Sequence, residues 1–403
     1  MEPKSTAAGL RMYQLIQFFL SQGWHVVFGT SAVKNEHSID LTSLGVKEIK
    51  ITLNDSSFDR LIQKMNPSIV LFDRFITEEQ FGWRISEFSP KSMKVLDTED
   101  LHCLRKTREE AFLKGIKFST SFLLNSDIAK REIASIYRCD ISLIISSFEM
   151  QLLKEVFKVD SSLLCHLPFF FDQISEVEVN SWKGFQERSH FVTIGNFLHA
   201  PNLDATNYLK HEVWKKIRHE LPTAELHIYG AYPTQQVLEL HHPSSGFYVH
   251  GFTQQANKVI GNAKVMLAPL RFGAGIKGKL TQAMQNGTPS VTSSIGAEGM
   301  HDGLPWNGFI EDCIDDFVDK AIELYSDQKK WKQAQFDGIQ IINQCYYKKK
   351  IQSKFSIVLK KIFQNLAHHR TQNFIGQMMD HHSLKSSKYL SKWIEEKNKK
   401  STS

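Results

Sequence analysis

Closely spaced glycines and lysines occur in the segment 268-APLRFGAGIKGKLTQAMQNGTP-289. Gly273, Gly278 and Lys279 fit the G-x-x-x-x-G-K spacing of a loop that surrounds a phosphate with backbone N–H groups. In such a loop the next residue is Ser or Thr, whose hydroxyl holds Mg²⁺, but here it is Leu280. The segment therefore predicts a phosphate site that does not depend on a bound metal.

The predicted site has two sources of attraction for an anion. A helix is expected over 279–285, and the N-terminus of a helix favours anions through its free N–H groups and its dipole. Glycine lets the backbone approach a phosphate closely, while lysine and arginine add positive charge. We therefore predict that a diphosphate binds to Arg271, Gly273, Gly275, Ile276, Lys277 and Lys279.

Short apolar runs alternate with amphipathic stretches along the chain, which is typical of an α/β fold. Further helices are expected over 10–23 and 203–219, where apolar residues recur at helical spacing. The predicted strands are 25–31, 47–51, 69–73, 93–97 and 141–145 in the first half, and 191–195, 224–230, 247–252, 264–270 and 290–294 in the second. We therefore predict two doubly wound domains.

A charged segment without apolar periodicity, 175–190, marks the predicted boundary between the domains. We expect an N-terminal domain over 1–185, a C-terminal domain over 186–345 and a basic helical extension over 346–403. A doubly wound domain begins with a central strand before its first glycine turn. Here Gly9 and the first predicted helix come almost at once, so we expect that the first strand is missing from this sequence.

The composition is typical of a soluble globular protein, since 41% of the 403 residues are hydrophobic, 23% are charged and the net charge is +6. The five cysteines are far apart and odd in number, which argues against a disulfide framework and against a zinc site. The sequence has no apolar run of about 18 residues that would cross a membrane, and its start lacks the apolar core of a signal peptide. We therefore expect a cytoplasmic protein.

Further motifs follow the glycine-rich segment in a defined order. The motifs are 269-PLRFGAGIK-277, Ala283-Met284, Gly287, Pro289 and 296-GAEG-299. Together they resemble the donor site of retaining glycosyltransferases with two facing Rossmann-like domains (the GT-B fold), the large group 1 or family 4 enzymes of bacterial polysaccharide biosynthesis. The resemblance extends over nearly the whole chain. It implies two α/β domains that face each other across a cleft, here with a helical C-terminal tail.

The resemblance also implies an activity. It implies transfer of a sugar from a nucleotide-diphosphate sugar to a sugar or lipid-linked acceptor, with retention, no required cofactor, no metal and no protein nucleophile. It places donor-binding groups on the turn 5-STAAGLRM-12 and on the loop 195-GNFLHAPN-202. The further donor-binding residues are then Gly9, Arg11, Asn196, His199, Gln282 and Glu298. An equally favoured alternative is that Arg11 lies on the exposed face of its helix and does not contact the donor.

Some positions differ from the pattern of this family. The family often has two glutamates with seven residues between them, which contact the donor sugar and the ribose; the matching residues here are Ala274 and Gln282. A basic pair that some members use on the diphosphate is replaced by Asn196 and Asn202. The positive charge must then come from residues 271–279, and the identity of the donor stays open.

Glu99 and Asp100 follow the predicted strand 93–97, where the family often has a His-Asp pair. Functional groups of open α/β sheets collect at the carboxyl ends of the strands. A carboxylate at this place can activate the hydroxyl of an acceptor or hold a sugar, so we predict these two residues as catalytic. The alternative is that Thr98 or Asp100 only caps the helix that follows.

Other functions stay open at the level of sequence. Ala274 and Gln282 also fit a relative that binds a nucleotide sugar but has lost turnover, whereas Leu280 disfavours a P-loop NTPase. The lysines of the C-terminal extension suit a solvated helix face, with contact to anionic lipid at the inner face of the membrane as the alternative. Aromatic and basic residues do not alternate as in proteins that stack bases, so we expect no nucleic-acid partner.

Overall fold

The computed structural model describes residues 1–401, apart from the side chains of residues 382–387, 400 and 401. The strands are β1 (Val27–Thr30), β2 (Lys47–Lys50), β3 (Ile69–Asp73), β4 (Met93–Asp97), β5 (Ile141–Ile144), β6 (Leu164–His166), β7 (Ser189–Ile194), β8 (Leu226–Tyr229), β9 (Phe247–Gly251), β10 (Ala263–Ala268), β11 (Ser290–Thr292) and β12 (Gly308–Ile310). The helices are α1 (Ala7–Ser21), α2 (Ser57–Met65), α3 (Arg74–Phe88), α4 (His102–Leu113), α5 (Thr120–Leu124), α6 (Asp127–Arg138), α7 (Ser147–Glu155), α8 (Glu176–Ser181), α9 (Ala200–Tyr208), α10 (Trp214–Glu220), α11 (Gln235–Leu238), α12 (Ala256–Asn262), α13 (Gly278–Gln285), α14 (Ser294–Ala297), α15 (Ile314–Ser326), α16 (Gln328–Cys345), α17 (Lys348–Gln364), α18 (Leu366–Gln372) and α19 (Phe374–Ser401).

The strands form parallel sheets in two separate domains. The N-terminal domain has a four-stranded sheet of order β3-β4-β5-β6 and a separate pair, β1-β2. The C-terminal domain has a six-stranded sheet of order β12-β11-β10-β7-β8-β9. Helices connect these parallel strands, as in doubly wound folds. The prediction of two Rossmann-like α/β domains is confirmed.

The sheet of the N-terminal domain is divided. Within residues 1–401, no backbone ladder joins β1 or β2 to the four-stranded sheet. An apolar cluster connects the two parts instead, with Met12 and Ile16 of α1 at its centre and with Phe28 of β1 and Leu71 of β3 packed against it. The expectation that a strand is missing from this domain stays a prediction.

The strands of the C-terminal sheet are apolar because helices cover them. In β10, five of the six residues are buried, as expected for a parallel strand that is covered on both faces. Phe191 of β7 is fully buried and packs with Trp214 of α10. Trp331 of α16 lies in the same cluster. These contacts pack the sheet that contains β7 and β10 against its covering helices.

The C-terminal helices return to the N-terminal domain. Phe355, Leu359 and Ile362 of α17 are buried in a cluster with Leu15 and Phe18 of α1. The last helix, α19, lies along α3 and α6. The predicted helical tail is confirmed, and it covers one side of the N-terminal domain.

Two predictions about the whole chain are only partly addressed. The domain limits at residues 185 and 345 stay a prediction, and residues 402 and 403 of the predicted extension lie outside the described residues. Across the described part of the chain, no helix combines the length and the apolar character needed to cross a bilayer.

Candidate functional site

A cavity of about 410 Å³ lies between the two domains. The N-terminal domain lines it with residues 3–8, with the start of α3 and with the loop after β4. The C-terminal domain lines it with the loop after β7, with Leu270 and with residues 272–279. The cavity therefore lies at the carboxyl ends of parallel strands, where open α/β sheets bind ligands. A more open depression of about 720 Å³ beside α10 and α15 contains none of the predicted site residues.

Residues 271–277, here named the glycine loop, connect β10 to α13. Gly275 has a φ of 65°, in the left-handed region that favours glycine. A side chain here would place its Cβ 2.8 Å from the Cβ of Asp100 in the other domain. Gly275 therefore allows both the turn of the backbone and the close approach of the two domains. Gly273, Gly275 and Ile276 all line the cavity.

Lys277 and Lys279 line the same wall of the cavity. The Nζ atom of Lys277 donates to the carbonyl oxygen of Gly275 at 2.8 Å, and that of Lys279 donates to Oδ1 of Asn202 at 2.8 Å. Burial lowers the pKa of each ammonium group to about 8. Neither lysine forms an ion pair with a carboxylate in the described residues, so both charges are available to an anion.

The loop after β7 extends this wall. Asn196 and His199 line the cavity, as does Gln282 of α13. The side-chain amide of Asn202 donates to the carbonyl oxygen of Asn196 at 2.9 Å and accepts from Lys279, so it connects the loop to α13. Desolvation in the cleft lowers the pKa of His199 to about 4, and its imidazole is therefore neutral near pH 7.

Glu99 lies on the opposite wall, in the loop after β4. Its φ of 64° is in the left-handed region, which costs a non-glycine residue about 1–3 kcal/mol and is common at functional sites. Its Oε1 atom is buried without a hydrogen-bond partner in the described part of the chain. Burial, followed by the charges of Asp97 and Asp73, raises the pKa of Glu99 well above its usual value. The surroundings of this carboxyl group therefore favour its protonated form more than water does.

Asp100 lines the cavity next to Glu99 but has different partners. Its Oδ2 atom accepts from Nε of Arg105 at 2.7 Å, and its Oδ1 atom lies 3.1 Å from Nδ1 of His102. Burial acts to raise the pKa of Asp100, but His102 and Arg105 outweigh it and hold the pKa below its usual value. The pKa values of the two neighbouring carboxyl groups are thus shifted in opposite directions, which is common where carboxyl groups have separate roles.

A phosphate-type loop that faces two carboxyl groups across a cleft fits the resemblance drawn from the sequence. Residues 188–327 match the family of glycosyl transferases group 1. The predicted resemblance to this family is thereby confirmed for these residues. A search of the curated proteins found no match.

Solved structures of glycosyltransferases share the fold of most of this chain. Sucrose-phosphate synthase from Thermosynechococcus elongatus is 12% identical, with 89% of this chain and 94% of that chain covered and a TM-score of 0.66. HepE from Anabaena, in complex with UDP and glucose, is 12% identical, with 88% and 96% covered and a TM-score of 0.62. A TarM variant from S. aureus, in complex with fondaparinux, alpha-GlcNAc-glycerol and UDP, is 16% identical, with 74% and 57% covered and a TM-score of 0.58. The chain thus spans little more than half of TarM, and these likenesses establish the GT-B fold alone.

Arg11 lies neither in the cleft nor on an exposed helix face, which corrects both positions expected for it. Its guanidinium is buried, where Nε donates to Oδ1 of Asp97 at 2.8 Å and Nη1 donates to the carbonyl oxygen of Leu167 at 2.6 Å. The reason is that Asp97 ends β4 inside the protein, where a carboxylate requires a cation. Gly9 is also buried and does not line the cavity. The backbone of Glu2 covers it so closely that a Cβ at Gly9 would lie 2.3 Å from the carbonyl oxygen of Glu2.

Arg271 and Glu298 are also absent from the cavity lining, contrary to the expectation that they bind the donor. Nε of Arg271 donates to Oδ2 of Asp204 at 2.9 Å, so its charge is already paired. Glu298 accepts from both Nη atoms of Arg108, at 2.7 and 2.8 Å. Nη1 of Arg108 also donates to the carbonyl oxygen of Gly273 at 2.9 Å. Arg108 thus joins the N-terminal domain to the C-terminal domain beside the glycine loop.

The predicted site residues did not include Arg74, His102 and Arg105, which line the cavity from the N-terminal domain. Arg74 directly follows β3, as the loop with Glu99 follows β4, so the rule that functional groups follow strands predicts it equally well. Its φ is 67°, and its guanidinium donates to both carboxylate oxygens of Asp73, at 3.0 and 2.8 Å. His102 and Arg105 lie on α4, where no sequence signal separates them from a solvated helix face.

Proposed function

We propose that this chain transfers a sugar from a nucleoside-diphosphate sugar to a hydroxyl group of a sugar or lipid-linked acceptor, with retention. The observation that carries this proposal is that Lys277 and Lys279 line one cavity together with Glu99 and Asp100. The match of residues 188–327 to glycosyl transferases group 1 supports the reaction class. The HepE and TarM structures contain UDP, which makes UDP the first nucleotide to test.

The proposed place of the diphosphate is the glycine loop and the N-terminus of α13. Lys277 and Lys279 would donate to phosphate oxygens, together with free N–H groups of the first turn of the helix. Cations and N–H groups fixed in this way stabilise the negative charge that develops on a leaving diphosphate. Within the described residues, no group of three or more His, Cys, Asp or Glu could hold a metal ion. We propose binding that does not require one.

The acceptor is proposed to bind on the opposite wall. The carboxyl group of Glu99 would form a hydrogen bond with the acceptor, and Asp100 would hold Arg105 and His102 in place. In the reaction, the bond between C1 of the donor sugar and the phosphate oxygen breaks, and its electron pair stays on the diphosphate. The acceptor oxygen forms the new bond to C1, and its proton passes to the leaving diphosphate, so no protein nucleophile takes part.

A second candidate function is a relative that binds the nucleotide sugar without turnover. Ala274, at the position of the first glutamate of the family, is buried with the apolar cluster of the N-terminal domain. Binding of UDP without turnover of a UDP-sugar would favour this function. A P-loop NTPase is not supported, because Leu280 is wholly buried in the core and its position cannot present a metal ligand to the cavity.

We also propose that the protein is cytoplasmic and that it contacts the inner face of a membrane peripherally. Lys349, Lys350, Lys360 and Lys361 are exposed on α17. Lysines near a surface with anionic lipids contribute about 1 kcal/mol each to its binding. Sedimentation with vesicles would test this contact separately from the reaction.

Calorimetric titration with UDP, with and without Mg²⁺, tests the donor site. We expect wild-type binding that is independent of Mg²⁺ and a loss of about tenfold or more in Lys277→Ala, since hydrogen bonds to charged groups contribute about 1.5–3 kcal/mol. The control is Lys332→Ala, an exposed lysine on α16 of the same domain, for which we expect wild-type affinity. Equal affinities of Lys277→Ala and the wild type would exclude the lysine from the diphosphate site.

A further inference from the structure

Glu149 is a buried carboxyl group at the place where the N-terminal domain meets the glycine loop. It lies in the first turn of α7, where its own N–H donates to Oγ of Ser146 at 3.4 Å. Its exposed fraction is 0%. Glutamate is rarely buried to this degree unless its oxygens have specific partners.

The partners of Glu149 belong to both domains. Its Oε1 atom accepts from the N–H of Leu101 at 3.0 Å and from the N–H of Gly275 at 2.9 Å. Leu101 directly follows Glu99 and Asp100, whereas Gly275 is in the glycine loop. One oxygen atom therefore connects the two segments that form the opposite walls of the cavity.

The surroundings of Glu149 show that this contact is costly to maintain. Burial, followed by the charge of Asp100, raises the pKa of Glu149 to about 8. Its Oε2 atom is buried without a hydrogen-bond partner in the described part of the chain. Burial of a carboxyl group is unfavourable unless hydrogen bonds offset its cost, and here those bonds are the ones that join Leu101 to Gly275.

We propose that Glu149 is a positioning residue, which fixes the glycine loop relative to Glu99 and Asp100 and so sets the distance across which the sugar is transferred. Arg108 of the N-terminal domain also fixes the glycine loop, because it donates a hydrogen bond to the carbonyl oxygen of Gly273. The kinetic part of this inference rests on the proposed function, whereas its structural part does not.

Glu132 offers a matched control within the same domain. It is also fully buried, and its oxygens accept from the N–H groups of His102 at 3.0 Å and Cys103 at 2.8 Å. Both acceptors of Glu132 therefore serve the first turn of α4, and neither reaches the C-terminal domain. Replacement of either glutamate by leucine leaves two N–H groups without their acceptor. Only Glu149→Leu also removes a hydrogen bond between the two domains.

Hydrogen–deuterium exchange of the ligand-free protein tests the structural part. We expect Glu149→Leu to increase exchange both at the peptide with Leu101 and at the peptide covering the glycine loop. Glu149→Gln keeps an acceptor oxygen and should exchange as the wild type does. Glu132→Leu should affect the start of α4 alone. Unchanged exchange of the glycine loop in Glu149→Leu, or an equal change in Glu132→Leu, would overturn the proposal.

Turnover of UDP-glucose, followed as release of UDP, and UDP titration test the kinetic part. Loss of orientation at a reacting centre costs up to about 100-fold in rate, so we expect kcat of Glu149→Leu to fall about 10- to 100-fold. Glu149→Gln should restore kcat to within about threefold, a difference below 1 kcal/mol. Tighter binding of UDP to Glu149→Leu would overturn the proposal, because the carboxyl group would then compete with the phosphate. If the wild type neither binds UDP nor releases it, the UDP assignment fails, while the exchange experiment still decides the role of Glu149.

Discussion

Lys277 and Lys279 hold their protons weakly, since each lies in the wall of the cleft, away from bulk water. A bound diphosphate would stabilise the ammonium form of both lysines and raise their pKa values, so binding should take up protons. Their pKa values in the free protein are about 8. The affinity for UDP should therefore be fully present at lower pH and decrease as the pH rises through about 8.

Titration with UDP between pH 6.5 and 9.5 measures this dependence. The comparison variant is Lys277→Arg, because arginine keeps its charge across the whole range. We expect its affinity to decrease less than that of the wild type above pH 8. An affinity that stays constant up to pH 9.5 in the wild type would mean that the lysines do not neutralise the ligand.

At the scale of elements, the turn that begins α13 depends on Gly275. Alanine there would require a left-handed backbone, at φ 65°, and a Cβ that lies 2.8 Å from the Cβ of Asp100. We expect Gly275→Ala to lower both the melting temperature and the affinity for UDP, since strain of this kind costs about 1–3 kcal/mol.

Gly261 of α12 provides the control for this prediction. A Cβ at Gly261 has its nearest neighbour at 3.9 Å, and its φ is not positive. Gly261→Ala should leave the melting temperature unchanged or raise it, because alanine favours a helix. Melting temperatures are measured by differential scanning calorimetry. Equal values for the wild type and both variants would contradict the prediction, because the glycine loop would then accommodate the added Cβ without strain.

The elements show which parts of the fold can be predicted from sequence. The strands over 69–73 and 93–97 have the predicted bounds, because each is a clear apolar run between turns. By contrast, β6 (Leu164–His166) and β12 (Gly308–Ile310) were not predicted. Each has only three residues, which is too short to show an apolar run or an alternation. Their neighbours in the sheet determine these strands more than their own sequence does.

The cavity lining could be predicted where its residues belong to the glycine-rich motif or follow a predicted strand. Gly273, Gly275, Lys277 and Lys279 belong to one motif and line one cavity, and their binding of a diphosphate stays a prediction. Arg11 and Glu298 were expected at the ligand because their partners, Asp97 and Arg108, lie 86 and 190 positions away. A single sequence contains no signal for such distant ion pairs. Glu149 was missed for the same reason, since Gly275 is 126 positions away from it.

At the scale of the whole molecule, Arg108 connects the domains through three hydrogen bonds. Lysine cannot reproduce the planar fork that contacts both oxygens of Glu298 and the carbonyl oxygen of Gly273. We expect Arg108→Lys to lower the free energy of unfolding by about 1–3 kcal/mol, the cost of a buried group left without its partner. Urea denaturation measures this change.

An exposed arginine serves as the control for Arg108. Arg131 pairs with Glu79 on the surface through two hydrogen bonds, at 3.0 and 2.6 Å. We expect Arg131→Lys to change the free energy of unfolding by less than about 1 kcal/mol, as is usual for surface ion pairs. Equal effects of the two substitutions would show that the contact between the domains adds nothing beyond an ordinary surface pair.

The divided sheet of the N-terminal domain has a consequence for how the molecule opens. The pair β1-β2 is bonded to itself, and apolar contacts of α1 with residues such as Phe28 and Leu71 connect it to the larger sheet. Cooperative units of a protein unfold separately when few interactions cross between them. The segment from Val27 to Lys50 should therefore behave as a separate cooperative unit, whose opening free energy is lower than that of the four-stranded sheet. Proteases would cut there first, while the four-stranded sheet and the wall that carries Glu99 remain folded.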